Sequence, residues 1–194
     1  MSSLTTQVRV HGRGGQGVVT AAELVALAAT FDGQEAQAFP FFGVERSGAP
    51  VVSFARISKQ PIKTREQVYR PDYLIIQDET LIGDKNILAG AHSQTKIIIN
   101  STLSPAEIKK QLKPLSSKDK IYEKNIICTP ATVVALEVIG KNLVNTVILA
   151  TLAKHSSLFS LDSLKKAVRL KLASKGAAIV EKNLKAINSV YEKY

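Results

Sequence analysis

The chain has 194 residues, 45% of them hydrophobic, a formal charge of +10 and one cysteine, Cys128. That composition suits a single globular core over residues 1–194, and one cysteine excludes an intrachain disulfide and any cysteine-ligated iron–sulfur cluster or structural zinc site built from this chain alone. The start MSSLTTQVRV lacks the basic-then-apolar order of a secretory signal, and apolar runs such as TVILATLA fall short of the roughly 20 residues of a membrane span, so a cytoplasmic protein without membrane contact is expected.

In chain order, Val8–Val10 reads as a short strand that runs into the loop HGRGGQGVVT, and GVVTAAELVALAATF behind it reads as a helix with an apolar face. A strand is predicted over Glu35–Phe42, then a polar turn, GVERSGAP, then a β-branched alternating strand over Val51–Ile57. Three short, continuous apolar runs follow at Tyr73–Ile76, Lys96–Ile99 and Asn125–Cys128; continuity rather than alternation marks strands covered on both faces, as in parallel sheets. Each is followed by polar residues: Gln77-Asp78-Glu79, Asn100-Ser101-Thr102 and Thr129-Pro130. In open α/β sheets the carboxyl ends of strands are where ligands sit.

From about Pro130 the pattern turns helical, with Gly140 as the stop of the first helix. A second helix covers roughly Asn145 to Lys154. A third is N-capped by Ser160, with Leu161, Leu164, Val168 and Leu172 on one face, and a last runs from about Ala177 to Tyr191 with Val180, Leu184, Ile187 and Tyr191 on one stripe. The fold class predicted is α/β: a Rossmann-like, mostly parallel sheet with flanking helices and a helical C-terminal part.

The spacing Gly12-x-Gly14-x-x-Gly17 between strand and helix is that of a dinucleotide loop, in which glycines allow a tight turn, backbone approach to a phosphate and close helix packing, with the helix N-terminus as anion site. A nicotinamide or flavin site would also place an acid at the end of the second strand, whereas Asp32 and Glu35 lie at its start. No Gly-Lys-Ser/Thr follows, so a phosphate-binding NTPase loop is excluded. Anion binding by the loop remains chemically reasonable. In that role Gly12, Gly14, Gly15 and Gly17 bring backbone toward the ligand, the permanently charged Arg13 suits a phosphate bidentately, and Gln16 hydrogen-bonds polar parts of the ligand. The alternative is that the glycines only shape the turn while Arg13 and Gln16 brace a neighbouring subunit.

His11, His92 and His155 show no metal-ligand spacing, and His11, beside the loop, is expected to be a neutral structural residue rather than a phosphate contact. Cys128 is expected to act as a small buried hydrophobe, and no nucleophile signature or self-contained catalytic set is found. The basic charge admits acidic partners, but the lysines recur on amphipathic helices and aromatic residues are only 6%, unlike nucleic-acid binders that stack bases. A stand-alone nucleotide-binding protein or a basic nucleic-acid-binding module stays open as an alternative at this point.

GRGGQGVVTAAELVA, then AFPFFGVERSGAPVVSFARIS and PIKTR, with NTVILATLAK in the later helices, resembles the gamma subunits of 2-oxoacid:ferredoxin oxidoreductases, over nearly the whole chain. Ser47 departs from the pattern, since many relatives carry a second arginine after Arg46. The resemblance implies a non-catalytic subunit of a cytoplasmic complex that converts a 2-oxoacid, pyruvate by similarity, and coenzyme A to acyl-CoA, carbon dioxide and reduced ferredoxin, or runs in reverse. It implies alpha, beta and delta partner subunits that carry thiamine diphosphate and [4Fe-4S] clusters, and a gamma domain that helps enclose coenzyme A through residues 12–17. FGVERSGAP, with Glu45 and Arg46, is then a candidate subunit contact near the active site, or a hairpin with a local ion pair.

Overall fold

The computed structural model describes residues 5–41, 48–112 and 121–194; most of the GVERSGAP stretch, including Glu45, Arg46 and Ser47, lies outside them. One six-stranded sheet organises the chain in the order β2-β3-β1-β4-β5-β6. β1 (Thr5–Arg13), β4 (Tyr73–Ile76), β5 (Lys96–Asn100) and β6 (Ile126–Thr129) are mutually parallel. β2 (Glu35–Pro40) and β3 (Pro50–Ser58) pair antiparallel with each other, and β3 pairs antiparallel with β1. The predicted α/β fold, mostly parallel, is the one observed.

Parallel strands need both faces covered. Successive residues of β4 and β5 accordingly enter different cores: Ile75 and Ile98 join Val8 and Val10 beneath the helices, while Leu74, Ile76, Ile97 and Ile99 meet Ile108, Leu81 and Leu88 on the other face. The first core is closed by α1 (Val18–Phe31), α4 (Val144–His155), α5 (Leu161–Leu172) and α6 (Ala177–Lys193). α1 is alanine-rich and buried on most of its surface, which lets sheet and outer helices approach it closely. Ser160 caps α5 as predicted, accepting from the Ser163 N–H.

Several local features differ from the sequence reading. β1 runs on to Arg13, so the first two residues of the glycine motif, Gly12 and Arg13, are strand. β6 starts one residue later than expected, because Asn125 closes a 3₁₀ turn. Over Ala131–Ile139 the expected helix begins as α3 (Ala131–Val134) and widens to a π-helical turn, Ala135–Ile139, that stops at Gly140 with φ +80°. A further helix, α2 (Pro105–Gln111), sits between β5 and β6, nucleated by a reciprocal capping box between Ser104 and Glu107. Among the described residues no helix is long and apolar enough to cross a membrane.

Candidate functional site

The parallel arrangement brings the carboxyl ends of β1, β4, β5 and β6 side by side. The polar residues that follow them converge on one cleft of about 330 Å³, lined among others by Gln16, Gln77, Asp78, Thr80, Asn100 and Thr132. Asn100 stitches three of these ends together: its Nδ2 donates to the Gln77 carbonyl at 2.9 Å and to Thr132 Oγ1 at 2.8 Å, and its Oδ1 accepts the Thr132 N–H at 3.0 Å. Uncharged amides and hydroxyls dominate the lining.

The glycine loop forms the β1 side. Gly12 is buried where a Cβ would lie 2.6 Å from Val18 Cγ2 and 3.1 Å from Gln77 Oε1. Gly14 donates its N–H to the Ala49 carbonyl at 2.9 Å and accepts from the Gly48 N–H at 3.2 Å. Gly15, at φ +94°, is the exposed apex. Gly17 occupies the N-cap of α1 in the left-handed region, φ +69°, with no capping side chain.

Arg13 and Gln16 are both drawn to Asp78. The Arg13 Nε lies 3.3 Å from Asp78 Oδ2, its Nη2 donates to Thr80 Oγ1 at 2.6 Å, and its Nη1 donates to the Gly48 carbonyl at 3.1 Å. Gln16 accepts the Arg13 N–H at 2.7 Å and donates to Asp78 Oδ2 at 2.8 Å. Burial alone would push the Asp78 carboxyl up, but hydrogen bonds from Thr80 and Gln16 and the Arg13 charge outweigh it and hold the group below the ordinary carboxylate range. Within this chain the brace made by Arg13 and Gln16 therefore joins β1 to β4.

Near the ends of β1 and β4 lie two polar side chains with unspent hydrogen-bonding capacity. Gln77 is wholly buried, and neither its Nε2 nor its Oε1 has a partner among the described residues. The buried Nε2 of His11 has none either. Burial, and then the nearby Arg9 charge, push the His11 pKa down to about 3, so the imidazole is neutral under physiological conditions. Asp32 lies away from the cleft, where it accepts hydrogen bonds from the Ser160 N–H and both the Ser160 and Ser163 hydroxyls at the start of α5. Burial raises the Cys128 thiol to about 11, opposite to what a nucleophile needs. Among the described residues no group of three metal-ligating side chains occurs.

Thr80, Thr132 and Asn142 were not among the candidates read from the sequence. The first two lie four residues beyond the predicted strand ends at Ile76 and Cys128, which is a usable signal; Asn142 reaches the cleft beside Thr132, its Oδ1 3.5 Å from Thr132 Oγ1.

The family model described as pyruvate ferredoxin/flavodoxin oxidoreductase matches residues 7–193. The chain belongs to this family. It is 40% identical over 187 residues to the pyruvate/ketoisovalerate oxidoreductases common subunit gamma of Pyrococcus furiosus, covering 96% of each chain. It is 44% identical over 163 residues to the pyruvate synthase subunit PorC of Methanosarcina barkeri, covering 84% of each. The crystal structure of pyruvate oxidoreductase subunit PORC from Thermotoga maritima superposes with a TM-score of 0.80 at 27% identity, covering 98% of this chain and 97% of that one. The same fold recurs at 19% identity and a TM-score of 0.72 over 32% of a 2-oxoglutarate:ferredoxin oxidoreductase chain from Magnetococcus marinus, solved with 2-oxoglutarate, coenzyme A and succinyl-CoA. As a gamma-type chain of the family, the protein is a subunit of a 2-oxoacid:ferredoxin oxidoreductase complex. The alternatives of a stand-alone nucleotide-binding protein or a nucleic-acid-binding module are set aside.

Proposed function

We propose that residues 1–194 act as one gamma domain that helps enclose coenzyme A in a cytoplasmic complex converting pyruvate to acetyl-CoA, carbon dioxide and reduced ferredoxin, or the reverse. Alpha, beta and delta subunits would carry thiamine diphosphate and the [4Fe-4S] clusters, leaving this chain without a catalytic residue. The observation that carries the reading is the buried Gln77 amide, unpartnered on both atoms, under a cleft where four strand ends and the glycine loop meet.

The lining fits the ligand in kind. Coenzyme A supplies the thiol that accepts the acyl group, and the rest of the molecule offers amides, hydroxyls and phosphates to be held. Gln16, Gln77, Asn100 and Thr132 match its neutral polar parts as donors and acceptors. The exposed Gly15 and the uncapped start of α1 at Gly17 match a phosphate, since helix N-terminal N–H groups and the dipole favour an anion. Arg13 adds a guanidinium held in place by Asp78 and Thr80, and Gly12 and Gly14 keep the backbone close to the cleft. These assignments make residues 12–17 the coenzyme-binding segment.

The test is made on the assembled oxidoreductase carrying Arg13→Ala or Gln77→Met, with coenzyme A-dependent viologen reduction measured beside single-turnover release of carbon dioxide from pyruvate. The expected result is a KM for coenzyme A raised at least tenfold with carbon dioxide release unchanged. An equal loss of both activities, or an unchanged KM in both variants, would overturn the reading.

A further inference from the structure

At the opposite end of the sheet, the antiparallel strands carry charge where a covered sheet face ordinarily carries core. Arg56 on β3 stands opposite Gln7 on β1 and Gln37 on β2. The segment between β3 and β4 lies over this row, tied by the Gln37 Nε2 donating to the Thr64 carbonyl and by Arg56 Nη2 donating to the Gln67 carbonyl at 3.1 Å. Arg56 is only 4% exposed and its guanidinium lies 5.1 Å from the Phe39 ring centroid. It makes no ion pair within 4 Å among the described residues, the Glu66 charge offsets only part of the effect of its burial, and its buried Nη1 has no hydrogen-bond partner there.

A buried cation with a spare donor is costly unless an anion meets it. Arg56 lines a cavity of about 580 Å³ whose wall also includes Pro61–Thr64 of the PIKTR stretch and Arg70. Three cations, Arg56, Lys63 and Arg70, face it against one carboxylate, Glu66, with Gln7 and Gln67 as further hydrogen-bonding groups. The guanidinium fork matches the paired oxygens of a carboxylate or phosphoryl group, and the phenyl ring beneath fixes its plane. From this we infer that the cavity is a second anion site, distinct from the glycine-loop cleft, that takes an oxyanion: a carboxylate or phosphoryl group, borne by a small polyanionic molecule or presented by a partner subunit.

Citrate is the probe, titrated calorimetrically into the full-length chain and into the assembled oxidoreductase, with ionic strength matched by sodium chloride. The site predicts saturable binding to the chain, weakened at least tenfold by Arg56→Met and by the paired substitution Lys63→Gln with Arg70→Gln, and unchanged by Lys182→Gln with Lys185→Gln, which removes equal charge elsewhere. Lys63 and Arg70 are exposed, so their variant keeps the test valid if Arg56→Met fails to fold. Citrate binding that survives assembly assigns the site to a free polyanion; binding lost on assembly assigns it to a partner's carboxylate. Absence of citrate binding to the chain, or equal weakening by both lysine-containing double substitutions, would overturn the inference.

Discussion

Arg13 and Asp78 meet at 3.3 Å across the gap between the ends of β1 and β4. The side chains are partly buried, 34% and 16% exposed, and Thr80 and Gln16 bond to both members or their neighbours, so the pair is held in one geometry rather than sampled as an ordinary surface ion pair. The only cation of the glycine loop is thus positioned before any ligand arrives, and its position depends on a residue 65 places further along the chain.

Replacing Asp78 with asparagine tests that dependence. The carboxyl is held below its ordinary range in the folded state, so it contributes stability above the unfolded carboxylate pKa of about 4, and that contribution is lost as pH falls through the lower, folded value. Asp78→Asn should lower stability at pH 7 by about 1–2 kcal/mol and flatten the acid limb of the stability curve below about pH 4. Denaturant melts of the two proteins from pH 7 to pH 2 measure this; parallel curves would refute it.

His11 works in a different pH window. Its folded pKa of about 3 lies below the unfolded value of about 6.5, so between these values the unfolded chain binds a proton that the native imidazole refuses. Stability from this source is complete above about pH 6.5 and falls as pH drops, by up to about 1.4 kcal/mol per pH unit. Substituting His11→Gln should remove that slope between pH 6 and pH 4 whatever it does to stability at neutral pH. An unchanged slope would mean that the imidazole is protonated in the native state.

How much of this was readable in the sequence depends on distance along the chain. The strand–loop–helix unit, the buried runs at Tyr73–Ile76 and Lys96–Ile99 and the cap at Ser160 follow from neighbouring residues, and all are found. Polar residues after each strand marked the cleft's rim. The bond from Asn100 to Thr132 and the clamp on Arg13 were not legible, because both depend on β1, β4, β5 and β6 lying parallel and adjacent. The burial of Arg56 was not legible either, because it depends on the segment after β3 lying over that strand. The capping box Ser104-x-x-Glu107 is a local signal, but α2 is short and carries only Ile108 into the core, so no apolar periodicity accompanies it.

Asp32 supplies a stability test away from the cleft. It ends α1 and accepts hydrogen bonds from Ser160 and Ser163 at the start of α5, so one carboxylate fixes the junction of the two helices. Asp32→Ala should cost about 1 kcal/mol, as loss of a helix N-terminal acceptor does, and Ser160→Ala a similar amount. Because the two share one network, the double variant should lose less than the sum, measured by chemical denaturation. Strict additivity would show that the contacts are independent.

The glycine loop meets the C-terminal helices at Gly17. Gly17 has φ +69°, and a Cβ there would fall 2.5 Å from Asn145 Nδ2 in the second residue of α4. An alanine at this position meets two separate penalties: the left-handed backbone costs about 1–2 kcal/mol, and the contact forces Asn145 aside. Gly17→Ala should therefore destabilise the chain by roughly 2–3 kcal/mol. Asn145→Ala should recover the steric part but not the backbone part, giving a coupling of about 1 kcal/mol in the double-mutant cycle. If the cycle shows no coupling, α4 does not pack on the loop as described, and the cost of Gly17→Ala is conformational alone.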